Sequence, residues 1–267
     1  GSLDQEIEGI SFDSRKTKPG DLFICIPGLK TDGHDYIEQA AGRGAVAVLV
    51  EKKVDVPPSM AVVQVGDSRR AMPVAAANYY GHPSRHFKLI GVTGTNGKTT
   101  TTHLIKAILE EWGCKAGIMG TLYSRLGDYE KVFSNTTPES VDIEEFLDYV
   151  RRESGQYVVM EVSSHALDLG RVDQLQFYCA VFTNLTQDHL DYHGSMESYK
   201  ESKLKLFGKL NPGQGQFAVI NADDPAAGDF IRANTGDCIT YGIGNEAMVQ
   251  AVDIRFSLKG SHFSVLY

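Results

Sequence analysis

Gly91-Val92-Thr93-Gly94-Thr95-Asn96-Gly97-Lys98-Thr99-Thr100 is the segment of this 267-residue chain with the clearest chemistry. Glycines let a backbone turn its N–H groups onto phosphate oxygens, and the N-terminus of the helix that follows adds the positive end of its dipole. In such a loop Lys98 reaches β- and γ-phosphates, and the Thr99 hydroxyl can bind Mg²⁺. The strict pattern requires glycine five residues before Gly97, where this chain has Val92, so the loop is a variant. The bland alternative is a chance turn rich in Gly and Thr. The Gly-Lys-Thr-Thr ending between a strand and a helix weighs against it.

Glu161 closes the apolar run Tyr157-Val158-Val159-Met160. A carboxylate at the end of a neighbouring strand is where a nucleotide's Mg²⁺ needs an acidic partner. The alternative is a glutamate capping the turn at Ser163-Ser164; beside a phosphate loop the metal role is favoured. The run from Thr183 to Gly194 holds Asp188, His189, Asp191 and His193, which could bind metal or catalyse. His189, nearer the strand, is the better candidate, and His193 reads as solvated. Lys203 shares a helical stripe with Met196, Tyr199, Leu206 and Phe207. An inward lysine snorkels or does chemistry, and helix geometry alone favours snorkelling. Asp224 before Pro225 reads as a helix cap, while Asn221 could also read a base edge.

These residues need rigid elements to hold them. Strands are expected at 7–12, 21–26, 45–50 and 61–65, with a helix at 35–41. Ser68 could cap a helix running to Tyr80, but Pro73 lies inside it, so either that helix starts later or it is kinked. Gly81-His82-Pro83-Ser84 is a breaker, giving domains at 1–84 and 85–267. Beyond it, strands at 87–93, 116–119, 157–162, 178–183, 217–221 and 238–241 alternate with helical segments. The first of those helices has Leu104, Ile105, Ile108, Leu109 and Trp112 on one face. Others are expected at 142–152, 195–207 and 225–233. The fold class is therefore α/β, a small α/β domain followed by a mostly parallel sheet covered on both faces. The tail from Ala247 to Tyr267 alternates like an antiparallel hairpin.

Length suggests two domains. Hydrophobic residues make up 42% and charged residues 22%, which excludes disorder. The net charge of −8 argues against a general nucleic-acid binder. No apolar run reaches a membrane span. Gly1-Ser2 reads as an appended remnant with no signal peptide behind it. Cys25, Cys114, Cys179 and Cys238 lack metal or redox spacing and read as reduced, mostly buried thiols.

Taken together, the motifs resemble the Mur ligase family of ATP-dependent amide ligases. Those that carry the resemblance are Thr93 to Thr100, Met160-Glu161-Val162-Ser163-Ser164-His165, Asn184 to Gly194, the helix from Met196 to Phe207, and Asn221-Ala222-Asp223-Asp224. Asp13-Ser14-Arg15, Pro19-Gly20-Asp21-Leu22-Phe23 and Asn135-Thr136-Thr137-Pro138 are similar to the branch that adds the third residue of the peptidoglycan stem peptide. The resemblance implies that the first domain binds uridine and the second ATP. Gly94, Thr95, Asn96, Gly97, Lys98, Thr99 and Thr100 would hold ATP phosphates, with Asn221 near the adenine. Thr99 and Glu161 would bind one Mg²⁺, and His189 would join Glu161 at a second. Lys203 would be carbamylated by CO₂ into a metal ligand, which reverses the snorkelling preference. Lys98, Glu161, His189 and Lys203 would then form the catalytic set. Ser14, Asn135, Thr136, Thr137, Ser163 and Arg171 would contact UDP-N-acetylmuramoyl-L-Ala-D-Glu, to which a diamino acid, meso-diaminopimelate or L-lysine, is added through an acyl phosphate.

The resemblance further implies a monomer in the bacterial cytoplasm, with no nucleic-acid or membrane partner, acting in cell-wall synthesis. The family's carboxy-terminal domain does not follow Tyr267, so the chain is expected to be a truncated ligase with an incomplete ATP-binding domain and little turnover. The competing readings are a ligase like folylpolyglutamate synthase, a non-catalytic UDP-sugar or nucleotide module, and a generic phosphate-loop ATPase.

Overall fold

The computed structural model describes residues 4–28, 31–211, 213–258 and 260–267. Gly1-Ser2 lie outside them. The chain divides into two compact units. One holds the described residues up to Pro83 together with Glu139–Asp148 and Leu169–Gln174. The other holds Ser84–Pro138, Tyr149–Asp168 and Leu175–Tyr267. A single break at residue 84 does not announce those two excursions into the first unit. The core explains the earlier one, because Val141 packs with Ile24, Leu49, Met72 and Ala76.

In the first unit, β1 (Gly9–Ser11), β2 (Asp21–Ile24), β3 (Ala47–Val50) and β4 (Ala61–Gln64) form a parallel sheet in that order. Side chains alternate across a strand, so both faces of this sheet are apolar. Phe23, Val48 and Val50 enter one core cluster, and Ile24 and Leu49 enter another. Helix α1 (Ile37–Gly42) follows a 3₁₀ turn at Gly33–Tyr36, later than the helix start expected at Asp35. Helix α2 (Ser68–Tyr80) does begin at Ser68, so the later start is excluded. Asp67 is its cap, accepting from the Arg70 N–H, and Pro73 is buried inside it.

Among the described residues the second unit holds ten strands, β5 (Lys88–Thr93), β6 (Ala116–Met119), β7 (Ser124–Leu126), β8 (Tyr129–Lys131), β9 (Tyr157–Glu161), β10 (Cys179–Phe182), β11 (Phe217–Asn221), β12 (Asp237–Gly242), β13 (Val249–Ser257) and β14 (Gly260–Leu266). Their spatial order is β14-β13-β12-β11-β10-β5-β9-β6-β7-β8. Pairing is parallel from β13 to β6 and antiparallel at both edges. The hairpin expected of the tail is β13–β14. The β7–β8 hairpin at the other edge has strands of three residues, too short to show a period. Central β5 lies between β9 and β10, so strand order reverses beside it. In open α/β sheets ligands bind outside the carboxyl ends of strands at such a reversal.

Helices α3 (Lys98–Glu111), α4 (Ser140–Arg152), α5 (Ser164–Asp168), α6 (Leu190–His193), α7 (Met196–Leu204) and α8 (Ala227–Ala233) complete the chain. The apolar face expected of α3 splits into two stripes. Leu109 is buried and Ile105 packs beside it against Ile90, Val92 and Val159. Leu104, Ile108 and Trp112 lie four residues apart on the next stripe and are 60%, 68% and 74% exposed. The sheet covers only one helical stripe, and Thr102 rather than Leu104 continues it. All four cysteines are free; burial pushes the Cys25 and Cys179 thiols up to about 12. No helix among the described residues is long and apolar enough to cross a membrane.

Candidate functional site

Strand β5 delivers the loop between Thr93 and Lys98 to the carboxyl edge of the sheet. Gly97 (φ 84°) is the residue before α3, and Gly94 has φ 145°, where an L side chain is strained. A Cβ on Gly94 would also collide with the Thr183 hydroxyl. The loop is laced to the segment after β10. Thr95 N–H donates to the Asn184 carbonyl at 2.8 Å, and Asn96 N–H to Asn184 Oδ1 at 2.9 Å. The Thr183 hydroxyl donates to the Asn96 carbonyl at 2.7 Å. Thr183 and Asn184 therefore shape the loop. Spacing alone assigns them no such role, although a polar pair directly after a buried strand is the available signal. Thr100 is exposed on α3.

Lys98 Nζ donates to the carbonyls of Gly94 and Thr95 at 2.9 and 2.8 Å, and burial lowers its pKa. The Thr99 hydroxyl donates to Glu161 Oε2 at 2.9 Å, across the pairing of β5 with β9. Glu161 is 1% exposed, and its Oε1 accepts the Thr121 N–H at 2.8 Å. The Thr121 hydroxyl also donates to Glu161 Oε2 at 3.2 Å and lies 3.1 Å from Thr136 Oγ1. A side chain on Gly120 would collide with Glu161, so the tight approach requires glycine. The Thr137 hydroxyl donates to the Glu161 carbonyl at 2.8 Å and accepts the Ser163 N–H at 3.0 Å. Thr99, Thr136, Thr137, Glu161 and Ser163 thus form one connected patch. Asn135 is exposed beside Thr136. Thr121 was missed by sequence, though Gly120-Thr121 follows β6 at the same strand edge.

Lys203 does not snorkel. It is 1% exposed, its Nζ donates to the Gly94 carbonyl at 2.9 Å, and it lies 4.4 Å from the centre of the Tyr199 ring. Burial, reinforced by the Lys98 cation, lowers its pKa to about 7. The geometric preference fails because the Tyr199–Lys203 stripe of α7 packs on the loop, with the Tyr199 hydroxyl 3.2 Å from Thr95 Oγ1. His189 stands apart from Glu161 among the described contacts. It sits at φ 51°, with Nε2 3.5 Å from Asp188 Oδ2 and its ring edge-on to His165. His193, read as solvated, is instead engaged, with Nε2 2.9 Å from the Ser164 hydroxyl and a pKa lowered by burial.

Asn221 spends its amide on the backbone, donating to the Thr183 carbonyl at 2.8 Å and accepting the Asp223 N–H at 3.0 Å. Asp224 accepts the N–H groups of Leu185 and Ala226, at 2.7 and 2.8 Å. It thereby caps the turn before α8 rather than the helix itself, which starts at Ala227.

Among the described residues no three His, Cys, Asp or Glu side chains gather into a metal cage. The Thr99 hydroxyl against the buried Glu161 carboxylate is nonetheless an all-oxygen pair suited to a hard cation such as Mg²⁺. Lys203 would suit a Mg²⁺ site as a carbamate, whose oxygens are hard donors, whereas an ammonium offers no acceptor.

The first unit has a cavity of its own, about 540 Å³, with Phe12, Phe23 and Tyr36 in its wall. Ser14 lines it and donates to Gln39 Oε1 at 2.5 Å. Arg171, also in the first unit, pairs with Glu139 at 2.6 Å.

Two family models match this chain. Residues 92–267 match the Mur ligase middle domain, and residues 6–86 the Mur ligase family, catalytic domain. The chain belongs to the Mur ligase family. Among curated relatives, the UDP-N-acetylmuramoyl-L-alanyl-D-glutamate–2,6-diaminopimelate ligase of Syntrophomonas wolfei is 51% identical over 267 residues, covering 100% of this chain and 55% of that protein. The ligase of the same name from Halalkalibacterium halodurans is 48% identical, covering 97% and 53%. A solved structure of a ligase of that name has a TM-score of 0.81 at 30% identity, over 97% of this chain and 53% of its own. The chain therefore spans about half the length of the curated relatives it matches. A folylpolyglutamate synthase from Mycobacterium tuberculosis shares the fold at a TM-score of 0.55 and 15% identity, over 72% of this chain and 50% of its own. The Mur ligase likeness reaches through the first unit as well, and the fold class read from the sequence is that of this family.

Proposed function

We propose that this chain provides the uridine-nucleotide and ATP-phosphate sites of an ADP-forming ligase, which joins a diamino acid to UDP-N-acetylmuramoyl-L-Ala-D-Glu during peptidoglycan precursor synthesis in the bacterial cytoplasm. The observation that carries the reading is the convergence of Lys98, Thr99, Glu161 and Lys203 on one loop, at the reversal of strand order. The curated relatives named above support the choice of substrate. Between the two diamino acids we favour meso-diaminopimelate, because 2,6-diaminopimelate is named for those relatives.

In this reading the D-Glu carboxylate attacks the γ-phosphoryl group of ATP, ADP leaves, and an acyl phosphate forms. The amine of the diamino acid then adds to that carbonyl, loses a proton, and expels phosphate. Lys98 swings from its loop carbonyls onto the phosphates, and loop N–H groups hold the departing charge. Mg²⁺, held through Thr99 and Glu161, would neutralise phosphate charge. Thr136, Thr137 and Ser163 lie on the Glu161 patch, where they would align the peptide end, and Ser14 would meet the uridine end. Lys203, with a pKa lowered to about 7, has a large neutral fraction. Its amine can add CO₂, forming an N–C bond and releasing one N–H proton to leave a carbamate anion. His189 would turn toward the second metal when the loop carries ATP, and Asn221 would stay beside the adenine as a strand clamp. We expect a monomer.

Calorimetric titration with UDP-N-acetylmuramoyl-L-Ala-D-Glu and with MgATP tests this. Binding of both is expected; failure to bind the UDP-substrate would overturn the assignment. Intact mass with and without bicarbonate tests Lys203, where the mass of one CO₂ should appear and should be absent in Lys203→Met. The generic ATPase reading predicts ATP hydrolysis unaffected by Lys203→Ala.

A further inference from the structure

Outside the phosphate loop, one partly buried ionic cluster in the first unit carries unequal charge. Glu139, the residue before α4, has Oε1 2.6 Å from Arg171 Nη2, and the same oxygen is 3.6 Å from Nη1 of Arg69 on α2. Arg171, Glu139 and Arg69 side chains are 11%, 15% and 26% exposed. One carboxylate therefore faces two guanidiniums, and Arg171 takes the short bond. At 3.6 Å Arg69 gains no hydrogen bond from it, and its buried Nη1 finds none elsewhere among the described residues.

Arg69 and Glu139 line the 540 Å³ cavity together with Asp13, Ser14 and Arg15. The Arg15 charge is already cancelled there. Asp13 accepts its guanidinium through both carboxylate oxygens at 2.8 Å, and this pairing holds the Asp13 carboxyl below the usual carboxylate range. Asp13 is thus taken up by Arg15 and the short bond of Glu139 by Arg171, which leaves Arg69 the less compensated guanidinium of the cavity wall. A guanidinium shielded from water attracts an anion far more strongly than an exposed one, and its fork suits phosphate oxygens. A neutral nucleoside entering the cavity would leave this charge uncompensated, whereas a nucleotide carries the group that cancels it.

We propose that Arg69 is the residue through which this cavity binds the diphosphate of a nucleoside diphosphate, with Glu139 holding Arg171 so that Arg69 keeps its charge for the ligand. This rests on the reading of the cavity as the uridine end of the substrate site. It adds a specificity-determining residue, and it explains how the cavity would tell a nucleotide from a nucleoside.

The test is titration of the 267-residue chain with UDP and with uridine, repeated for Arg69→Met and Arg69→Lys, with thermal melting of each. UDP should bind more tightly than uridine. Arg69→Met should lose at least about tenfold in UDP affinity and leave uridine affinity unchanged. Arg69→Lys, which keeps the charge without the fork, should lie between. A folded Arg69→Met that binds UDP as tightly as the unaltered chain overturns the proposal. If Arg69→Met does not fold, Arg69→Lys decides: equal loss for UDP and uridine shows a structural role and overturns it, and loss confined to UDP supports it. An unaltered chain that binds neither ligand overturns the uridine reading, and this inference with it. UDP binding indifferent to Arg69 sinks the inference alone.

Discussion

Glu161 and Lys203 in the second unit, and Glu144 in the first, are each 1% exposed, yet their surroundings differ. Glu161 accepts from Thr99 and twice from Thr121, and the Lys203 amine donates to the Gly94 carbonyl. Glu144, on α4, has a buried Oε2 with no hydrogen-bond partner among the described residues, and burial alone pushes its carboxyl up to about 7. A buried charged or polar group answered by donors and acceptors that other elements aim at it keeps its hydrogen bonds on burial. A buried acid with an unanswered oxygen is a cost the fold carries. Burial alone separates neither case; the partners do.

The sharpest way to break that contrast is Glu161→Ala. Removing the shared acceptor should weaken MgATP binding by roughly 10²–10³-fold, a loss comparable to that of a preorganised charge-stabilising group. Calorimetry checks it, and unchanged affinity would reduce Glu161 to a turn cap. Leu109→Ala, at the buried stripe of α3, should cost about 2–5 kcal/mol in chemical denaturation. A smaller loss would mean that α3 packs through its other stripe.

Glu144 and Lys203 should give opposite pH slopes. For Glu144 the pKa rises from 4.5 unfolded to about 7 folded. Between those values the folded state binds more protons, so stability falls as pH rises, by up to about 3 kcal/mol in total. Glu144→Gln should abolish that fall, as denaturation at about pH 4.5 and pH 8 would show. For Lys203 the pKa drops from 10.5 to about 7. The unfolded chain then binds more protons over that window, and its contribution to stability rises with pH. The smallest effect is expected for Trp112→Ser on the exposed stripe of α3, within about 0.5 kcal/mol of the unaltered chain. A larger loss would show that this stripe is covered.

The βα rhythm of the second unit was legible because parallel strands buried on both faces read as apolar runs, and long helices between them carry a 3.6-residue period. The loop from Gly94 to Thr100 was legible as a turn between strand and helix because its glycines and the Gly-Lys-Thr-Thr ending stand out at a fixed spacing. Thr121 was not, since a threonine after a strand acquires meaning only when a carboxylate from another strand reaches it. The β7–β8 hairpin was too short to show a period. The stripe of α3 that faces the sheet was misread because three apolar residues spaced four apart look buried until the partner surface is known.

For this protein the sequence alone determined the α/β class, the glycine-rich loop after β5, the acid that ends β9 and the family. Each follows from local rules of spacing, backbone freedom and burial. Only the tertiary structure decided that Lys203 turns inward to the Gly94 carbonyl, that His193 is engaged while His189 stays apart from Glu161 among the described contacts, and that Arg69 stands 3.6 Å from a Glu139 oxygen already bonded to Arg171. Those outcomes depend on distances between residues far apart in the chain, and a hydrogen bond or an ion pair is decided by tenths of an ångström that no sequence spacing encodes.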